Sequence, residues 1–453
     1  MNLPNYFLAD LPPEATLSPA VVSEAAQTLK RNRAQFLTGR TTDSVIDLLA
    51  GVAAEWLDPG HPFRRLALEQ GPALLRFSRA TLERGLGAFF AELTADNLRV
   101  LVLQELGHAR RLDGFCSSAA ERETGRTALV FGPDLLVHVA PGNLPNPALM
   151  SIVLGLLVRS AQFVKCAQGT SLIPRLFAHS IYEADHKFGA CLELAEWPGG
   201  SVELEAALFS EADCVTATGN DETLDSIRRR LPPRTRLLGY GHRVSFGYVA
   251  REALSSAGTR RAARDAADDV AAWDQQGCLS PHVFYVEDGG AIDAGQFAAM
   301  LAEELARQEA ECPRGELLVH ESTTVALKRD FYGVRASASA ETQLWTSEGS
   351  TAWTVVYEAD PRFQLSCLNR FVYVKRAVDL DDVLHHAELV RGQVSTVGLA
   401  AAGQREQELA TELARWGVTR VCRIGQMQRP PLAWRHDGRP ALADLVTWSG
   451  WEQ

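Results

Sequence analysis

The strongest constraint in this sequence is a regular alternation of short apolar segments with amphipathic ones, which begins near residue 127. The short segments predict strands, and apolar residues three and four positions apart between them predict helices. The first predicted strands cover 128–131, 135–139, 162–166, 192–197, 213–218 and 236–239, and the helices cover 147–160, 175–186, 202–210 and 222–230. Such alternation over short loops is typical of a doubly wound parallel sheet, whose ligands bind at the carboxyl ends of the strands. The sequence therefore predicts an α/β protein.

Two further regions flank this predicted sheet. Residues 1–120 have helical periodicity, for example over Ser44–Trp56, and contain no chemical motif. After an amphipathic helix predicted over 259–276, a second alternation of strands and helices follows. Its predicted strands cover 283–286, 353–357, 371–375, 395–400 and 419–423, and its helices cover 291–309, 320–329, 379–389 and 404–415. We therefore expect a helical region over 1–120, α/β domains over 121–258 and 259–425, and a C-terminal segment over 426–453.

The composition is that of an ordinary globular protein, with 46% apolar residues and a net charge of −11 over 453 residues. An acidic chain without a block of Lys and Arg is poorly suited to nucleic acid, so that class of partner is not expected. The longest apolar run, 148–158, is much shorter than the roughly 20 residues of a membrane span. Because the first residues also lack the pattern of a secretory signal, we expect a cytoplasmic protein without a membrane span.

The eight cysteines form no Cys-x-x-Cys pair and the eleven histidines are scattered, so neither a metal site nor a disulfide framework is expected. One cysteine differs in its local setting. Cys278 follows Gly277 at the end of a predicted helix and precedes Leu-Ser-Pro281, which places it on a constrained loop. A thiol on such a loop can act as a nucleophile, since its unperturbed pKa is only about 8.5. A purely structural thiol is the alternative that these residues leave open.

A second candidate loop, Ala140–Asn146, connects a predicted strand to a predicted helix. The side-chain amide of Asn143 can donate a hydrogen bond to a developing oxyanion, a role worth about 10²–10³ in rate. Asn143 beside Gly142 is also an ordinary turn-forming pair, and that interpretation stays open.

A third candidate loop contains Gly219 and Asn220 between a predicted strand and a predicted helix. Backbone N–H groups at such a helix terminus can hold a phosphate, although Asn220 is equally suited to cap the helix. Gly239 and Gly241 lack the third glycine of a Gly-x-Gly-x-x-Gly motif, so they indicate a dinucleotide site only weakly.

The order of these loops is more specific than any one of them. A loop with Asn143 comes first, then Lys165 at the end of the next predicted strand, then the turn at Gly219, and then Cys278. This order resembles the aldehyde dehydrogenase superfamily, and within it the bacterial long-chain acyl-CoA reductases of the LuxC type, which make fatty aldehydes for luminescence and related pathways. The matching stretches are His138–Pro145, Gly155–Lys165, Leu238–Ser245, Asp274–His282, Asn369–Val372 and several residues between Cys422 and Gly438.

The resemblance implies an aldehyde-dehydrogenase-like fold with a Rossmann-type cofactor domain over 121–258 and a catalytic domain over 259–425. The helical region would pack on the cofactor domain, and 426–453 would contribute to an oligomer contact. In this family pattern Cys278 is the acyl acceptor and Asn143 supports the oxyanion. The positions that would bind the cofactor are Lys165, Gln168, Gly219, Asn220 and Gly239.

The sequence departs from the hydrolytic members of the superfamily in one informative way. Those enzymes place a general-base Glu some 30 to 35 residues before the cysteine, whereas Leu231–Ala250 contains no Asp or Glu. Without that base, water is poorly activated against an acyl-cysteine thioester. A Glu-x-Phe-Gly-Pro motif of the superfamily is also missing, and the chain reads Leu365-Ser-Cys-Leu-Asn-Arg370 there. The resemblance therefore implies reduction of a fatty acyl thioester to the aldehyde rather than hydrolysis.

The cofactor expected from the resemblance is NADPH. NAD-preferring relatives carry a Glu three residues after the strand-end lysine, and this chain has Gln168 there, so no acid would repel a 2′-phosphate. The expected partners are a fatty acyl-CoA or an acyl-protein, an acyl-transferring protein and further copies of the chain. The alternatives are a short-chain CoA-acylating aldehyde dehydrogenase and a cysteine acyltransferase without hydride chemistry. His242 and His282 lie near these motifs and are candidates either for proton transfer or for packing.

Overall fold

The computed structural model describes residues 3–12 and 14–452, and its contacts divide the chain into two compact units. The first unit runs up to Leu75, resumes over Leu86–Gly241 and includes the residues from Pro431 onward. The second unit consists of Arg76–Gly85 and His242–Pro430. The chain thus enters the second unit briefly at Arg76 and again at His242, whereas the sequence pattern placed a boundary at 258.

The N-terminal region is helical, as predicted. Its helices begin at polar caps, for example where the Ser18 hydroxyl accepts a hydrogen bond from the Val21 N–H and the Thr41 hydroxyl accepts one from the Ser44 N–H. The helices are α1 (Pro19–Phe36), α2 (Thr42–Leu57), α3 (Pro62–Leu75), α4 (Arg79–Glu92), α5 (Ala95–Leu106) and α6 (Ala119–Glu123).

A five-stranded parallel sheet forms the centre of the first unit, and it confirms the predicted doubly wound arrangement. Its strands are β2 (Leu135–Val139), β3 (Ala161–Cys166), β4 (Leu192–Glu196), β5 (Cys214–Thr218) and β6 (Arg236–Tyr240). The helices between them are α7 (Asn146–Leu157), α8 (Leu172–Ala184), α9 (His186–Gly189), α10 (Val202–Glu211) and α11 (Asp221–Arg230). The strand order is β4-β3-β2-β5-β6, so the direction of winding reverses between β2 and β5. A crevice forms at such a reversal, outside the carboxyl ends of the two strands.

A short antiparallel ribbon also belongs to the first unit. Strand β1 (Arg126–Phe131) pairs with β14 (Thr447–Glu452), the last strand of the chain, which the sequence pattern did not predict. Trp448 and Trp451 on β14 are exposed. An exposed strand gives little apolar alternation, so a sequence pattern based on burial misses it.

A seven-stranded sheet forms the centre of the second unit. Its strands are β7 (Val244–Val249), β8 (Pro281–Glu287), β9 (Thr342–Thr346), β10 (Thr354–Glu358), β11 (Phe371–Ala377), β12 (Val394–Ala400) and β13 (Arg420–Arg423). The helices are α12 (Ser256–Ala271), α13 (Ala294–Glu311), α14 (Val319–Ala338), α15 (Leu380–His386) and α16 (Gln404–Trp416). The order is β13-β12-β7-β8-β11-β10-β9, and β9 alone of these strands pairs antiparallel to its neighbour.

Two sequence predictions for the second unit need correction. Strands β7, buried along its whole length, and β9, at the edge of the sheet, were not predicted. The helix predicted over 259–276 ends at Ala271, because Trp273, Asp274 and Gln275 have positive φ angles of 50°, 51° and 66°. A left-handed backbone cannot continue a right-handed helix.

Within the part of the chain that the structure describes, no helix is both long enough and apolar enough to cross a membrane.

Candidate active site

Six of the seven predicted site residues lie at the carboxyl end of the five-stranded sheet. Asn143 lies in the loop after β2, Lys165 near the end of β3 and Gln168 in the loop that follows. The other three lie on the far side of the winding reversal, with Gly219 and Asn220 after β5 and Gly239 in β6. The parallel strands thus gather residues that are far apart in the sequence at one edge of the first unit.

The loops after β2 and β3 contact each other closely. The Ala140 N–H donates to the Lys165 carbonyl oxygen at 3.0 Å, and a Cβ placed on Gly142 would lie 3.2 Å from the Cβ of Ala167. This close approach explains a glycine beside Asn143. The Asn143 side chain is exposed at the edge of the sheet.

Lys165 is a buried cation at this edge, with 5% of its surface exposed. Burial lowers the pKa of Lys165, and the nearby carboxylate of Glu205 opposes that shift. Among the described residues, no side chain or carbonyl group accepts a hydrogen bond or forms an ion pair with its ammonium group. A buried ammonium group without a hydrogen-bond or ion-pair partner among the described residues is suited to bind a polar or anionic ligand.

Gly219, Asn220 and Gly239 lie together beside α11. The Gly219 N–H donates to the Tyr240 carbonyl oxygen at 3.1 Å, and a Cβ on Gly239 would lie 3.2 Å from Leu224 of the helix. Asn220 Oδ1 accepts a hydrogen bond from the Thr223 N–H at 2.8 Å, so its side chain caps α11. The capping role that the sequence left open for Asn220 is therefore present in the structure.

A buried hydrogen-bond network joins the three central strands below the Asn143 loop. His138 of β2 contacts Thr216 Oγ1 of β5 at 2.6 Å and Gln162 Oε1 of β3 at 2.9 Å. Since Gln162 Nε2 donates to the Ile152 carbonyl, its Oε1 must accept, which places the proton of His138 on Nε2. Burial lowers the pKa of His138 to about 4, so the ring is neutral at pH 7.

Cys278 lies in the second unit, on the loop between α12 and the amino end of β8, and it is half-buried. Its carbonyl oxygen accepts a hydrogen bond of 2.8 Å from the Ser245 hydroxyl of β7. The Ser280 N–H donates to the Gly277 carbonyl oxygen at 3.0 Å, which closes the loop into a tight turn. The backbone around the thiol is therefore held by bonds within the loop and to the neighbouring strand.

All eight cysteines lie in the described part of the chain, and none of them forms a disulfide there. Burial raises the pKa of five of them, to about 12 for Cys166 and Cys191 and to about 11 for Cys214, Cys367 and Cys422. The thiolate is the nucleophilic form, so these five thiols are poorly reactive at neutral pH.

Two left-handed turns without glycine flank the region of Cys278. Trp273–Gln275 precedes the Cys278 loop, and Leu368–Arg370, with φ angles of 61°, 57° and 63°, precedes β11. A non-glycine residue in this conformation costs about 1–3 kcal/mol. Such strain persists only where neighbouring contacts hold the backbone, and it is common at functional sites.

Asp274 and Arg370 connect these turns. Both lie in stretches that match the family, but the sequence pattern predicted no role for either residue. Arg370 is fully buried, its Nε atom donates to Asp274 Oδ1 at 2.9 Å, and its Nη2 atom forms an ion pair with the same oxygen at 2.6 Å. Its Nη1 atom donates to Glu309 Oε2 at 2.8 Å and to the Cys312 carbonyl oxygen at 2.9 Å. An arginine in the sequence carries no signal that it will be buried, so only the structure identifies this cluster.

His282, at the second position of β8, packs rather than facing solvent. Its Nδ1 accepts a hydrogen bond of 3.1 Å from the Ser366 N–H, and burial lowers its pKa to about 4, with a smaller contribution from His242. A neutral ring with one nitrogen engaged by the backbone fits the packing interpretation of His282.

The family model of the acyl-CoA reductases (LuxC) matches residues 37–448 of this chain. The chain belongs to the LuxC family. A long-chain acyl-protein thioester reductase of Aliivibrio fischeri is 24% identical over 316 residues, which cover 68% of this chain and 62% of that protein. This chain thus aligns with less than two thirds of that relative's length.

Solved structures similar to this LuxC-family chain are aldehyde dehydrogenases. An NADP-dependent glyceraldehyde-3-phosphate dehydrogenase of Bacillus halodurans C-125, complexed with NADP, has a TM-score of 0.71 at 14% identity, over 96% of this chain and 91% of that one. A bifunctional proline utilization A protein has a TM-score of 0.70 at 19% identity, over 98% of this chain and 46% of that one. At these identities the likeness concerns the fold, and it confirms the predicted aldehyde-dehydrogenase-like α/β class.

Proposed function

We propose that this protein reduces a fatty acyl thioester to the fatty aldehyde with NADPH, through an acyl group held on Cys278. Membership of the acyl-CoA reductase family supports the reaction class, and the name of the Aliivibrio fischeri relative indicates a long-chain acyl thioester as substrate. The observation that carries the assignment of the nucleophile is the setting of Cys278. Its loop directly follows the strained left-handed turn Trp273–Gln275, whereas burial raises the pKa of five other thiols.

The first step of the proposed reaction forms one thioester and breaks another. The Cys278 thiolate attacks the acyl carbonyl carbon, and the carrier leaves as a thiolate, which takes up a proton. The family pattern assigns the side-chain amide of Asn143 and the backbone N–H of Cys278 to stabilise the oxyanion. The side chain of Asn143 is exposed at the carboxyl end of the five-stranded sheet, which suits a role toward a ligand.

The second step reduces the acyl group while it is bound to Cys278. NADPH, when bound, supplies a hydride to the acyl carbon. The resulting thiohemiacetal on Cys278 collapses to the aldehyde, and the thiol is regenerated with one proton from solvent or a general acid. The absence of Asp and Glu from Leu231–Ala250 disfavours hydrolysis of the same thioester.

The carboxyl end of the five-stranded sheet fits a dinucleotide. The winding reversal between β2 and β5 provides the crevice where α/β sheets bind such ligands, and Lys165 offers a buried ammonium group that forms no ion pair with the described residues. Gln168 is exposed in the next loop and carries no charge to repel a 2′-phosphate. The proposed cofactor positions are Lys165 and Gln168, with Gly219, Asn220 and Gly239 on the other side of the reversal.

The test is an NADPH-oxidation assay with acyl-CoA and acyl-protein thioesters of increasing chain length. Turnover that rises with chain length and yields aldehyde supports the proposal. Turnover confined to short acyl-CoA would indicate a CoA-acylating aldehyde dehydrogenase. Binding of NADPH is measured by tryptophan fluorescence. Transfer of the acyl group to Cys278 by a protein that does not bind NADPH would indicate an acyltransferase.

The acyl donor and the assembly are further parts of this proposal. The name of the Aliivibrio fischeri relative points to an acyl-protein donor, so an acyl-transferring protein is the partner we propose in the cytoplasm. Further copies of the chain are a second partner, because β14 presents the exposed side chains of Trp448 and Trp451. Light scattering on the purified protein, compared with a variant in which both tryptophans are replaced, tests whether the chain associates with further copies of itself.

A further inference from the structure

The left-handed turns Trp273–Gln275 and Leu368–Arg370 are connected to each other by side chains. Three consecutive non-glycine residues with positive φ are unfavourable in isolation, so contacts from outside each turn must stabilise it. Side-chain hydrogen bonds and an ion pair run from one turn to the other and to the strands that follow them.

The first connection is an ion pair shielded from water. Arg370, the last residue of the second turn, donates through Nε at 2.9 Å to Asp274, the middle residue of the first turn, and its Nη2 lies 2.6 Å from the same carboxylate oxygen in an ion pair. The other carboxylate oxygen of Asp274 accepts the Gly315 N–H at 3.0 Å. Arg370 is 0% exposed and Asp274 4% exposed, so loss of the guanidinium group would leave the Asp274 carboxylate in the interior without its ion-pair partner.

The second connection is made by amide side chains. Gln276 Nε2 donates to Asn369 Oδ1 at 2.6 Å, which joins the residue after the first turn to the middle of the second. Gln275 Nε2 donates to the carbonyl oxygens of Pro281 at 2.8 Å and Phe371 at 3.0 Å, the first residues of β8 and β11. Both ends of the loop that carries Cys278 are therefore tied to the segment around Arg370.

We propose that Arg370, acting through Asp274, is a positioning residue for Cys278. The guanidinium group holds the two left-handed turns against each other, and the turns fix the ends of the Gly277–Ser280 loop and thereby the direction of the thiol. Arginine suits this role because its planar group donates to Asp274, Glu309 and the Cys312 carbonyl at once, which a lysine ammonium cannot reproduce in the same geometry. The effect on acylation rests on the proposed function, whereas the effect on the loop does not.

The test compares Arg370→Met with a matched control, Lys375→Met. Lys375 lies in β11, the strand that follows Arg370, and forms a buried pair with Glu358 at 3.4 Å. Each variant removes a buried cation of the second unit and leaves a buried carboxylate, but only Arg370 contacts the turn before Cys278. The measurements are the single-turnover rate of acyl-Cys278 formation from a long-chain acyl-CoA, followed by mass spectrometry, and the hydrogen exchange of the peptide that spans 276–281.

We expect Arg370→Met to slow acylation by about 10²-fold, the effect of displacing a reacting group by about 1 Å, and to accelerate exchange in the 276–281 peptide. Lys375→Met should lower the melting temperature but leave both readouts close to those of the wild type. If Arg370→Met, measured where it is folded, retains the wild-type acylation rate and loop exchange, Arg370 is merely structural and the proposal is wrong.

A second variant decides the matter if Arg370→Met does not fold. Asn369→Gly removes the bond from Gln276 but suits the left-handed backbone, so the fold should persist. Asn369→Gly should also slow acylation and accelerate exchange in the 276–281 peptide, but by less than we expect for Arg370→Met. Wild-type acylation and exchange in this variant would then overturn the proposal. A wild-type protein that forms no acyl-Cys278 contradicts the proposed function instead, and loop exchange still tests the role of Arg370.

Discussion

In the first unit, the candidate residues lie at the carboxyl end of a five-stranded parallel sheet, whereas in the second unit Cys278 precedes the amino end of β8. The strand order of that sheet brings Asn143, Lys165 and Gly219 to its carboxyl end. Cys278 owes its position to a tight loop between two left-handed turns that a buried ion pair holds. The same strand–helix alternation therefore supports two kinds of site. One depends on topology, and the other depends on specific side chains.

The difference has a physical cause. At the carboxyl ends of parallel strands, loops and helix termini present polar groups whatever the side chains are. At the amino end of β8 no such general device acts, so a thiol there needs dedicated contacts. We expect the loops at the carboxyl end of the five-stranded sheet to tolerate substitutions that keep their backbone geometry. The geometry of the Cys278 loop should instead depend on Asp274 and Arg370.

The largest expected effect tests the chemistry assigned to the second unit. Cys278→Ala should abolish reductase activity and acyl-adduct formation, with NADPH binding nearly unchanged, because the nucleophile is lost and the first sheet is not altered. The matched control is Cys422→Ala, which removes a half-buried thiol whose pKa burial raises to about 11. Detection of the acyl adduct on any other cysteine would remove Cys278 from the mechanism.

The next effect tests whether a side chain also matters in the first unit. Asn143→Ala should lower kcat by about 10²–10³, since the amide bond strengthens only as the oxyanion forms. Asn143→Asp should not restore activity, because a carboxylate repels the same oxygen. Asn97→Ala is the control for loss of a local asparagine hydrogen bond, here from Asn97 Nδ2 to the Glu92 carbonyl oxygen at 2.9 Å. Normal kcat with a lowered melting temperature would show that Asn143 only shapes a turn.

A third prediction compares the stability of the units through one buried histidine in each. Burial lowers the pKa of His138 and His282 to about 4, below the ordinary value of 6.5. Between these pH values the unfolded chain binds a proton at each ring and the folded chain does not, so the free energy of unfolding falls as the pH falls from about 6.5 to about 4. The loss is up to about 3 kcal/mol for each histidine.

This pH effect is measured as a difference between variants, because other groups titrate in the same range. The unfolding free energy of the wild type should fall relative to that of His138→Asn, and likewise relative to His282→Asn, as the pH is lowered through this window. Parallel curves for the wild type and a variant would mean that the histidine in question is not held neutral by the fold.

The smallest expected effect is a change in cofactor preference at the carboxyl end of the five-stranded sheet. Gln168→Glu should weaken NADPH binding several-fold and shift preference toward NADH, since a carboxylate near a 2′-phosphate costs about 1 kcal/mol in water and accepts a hydrogen bond from a free 2′-hydroxyl. Gln168→Ala removes the amide without adding charge and is the control. An unchanged ratio of kcat/KM for the two cofactors in Gln168→Glu would place this residue outside the cofactor site.

The sequence by itself determined the features that depend on local patterns. Apolar periodicity was sufficient for the α/β class and for most strands and helices of both sheets, because burial of one face repeats along the chain. The order of the Asn143, Lys165 and Cys278 loops was sufficient for the family. The pattern was not sufficient for β7, β9 and β14, since β7 is buried throughout and neither β9 nor β14 alternates regularly between buried and exposed residues.

The tertiary structure alone decided how the Cys278 loop is held. The helix predicted through residue 276 ends at Ala271 because contacts from distant residues stabilise a left-handed turn that local preferences oppose. Asp274 and Arg370 are 96 positions apart, and neither residue type indicates burial by itself. Strain of this kind is stabilised by long-range contacts, which leave no periodic signal in the sequence.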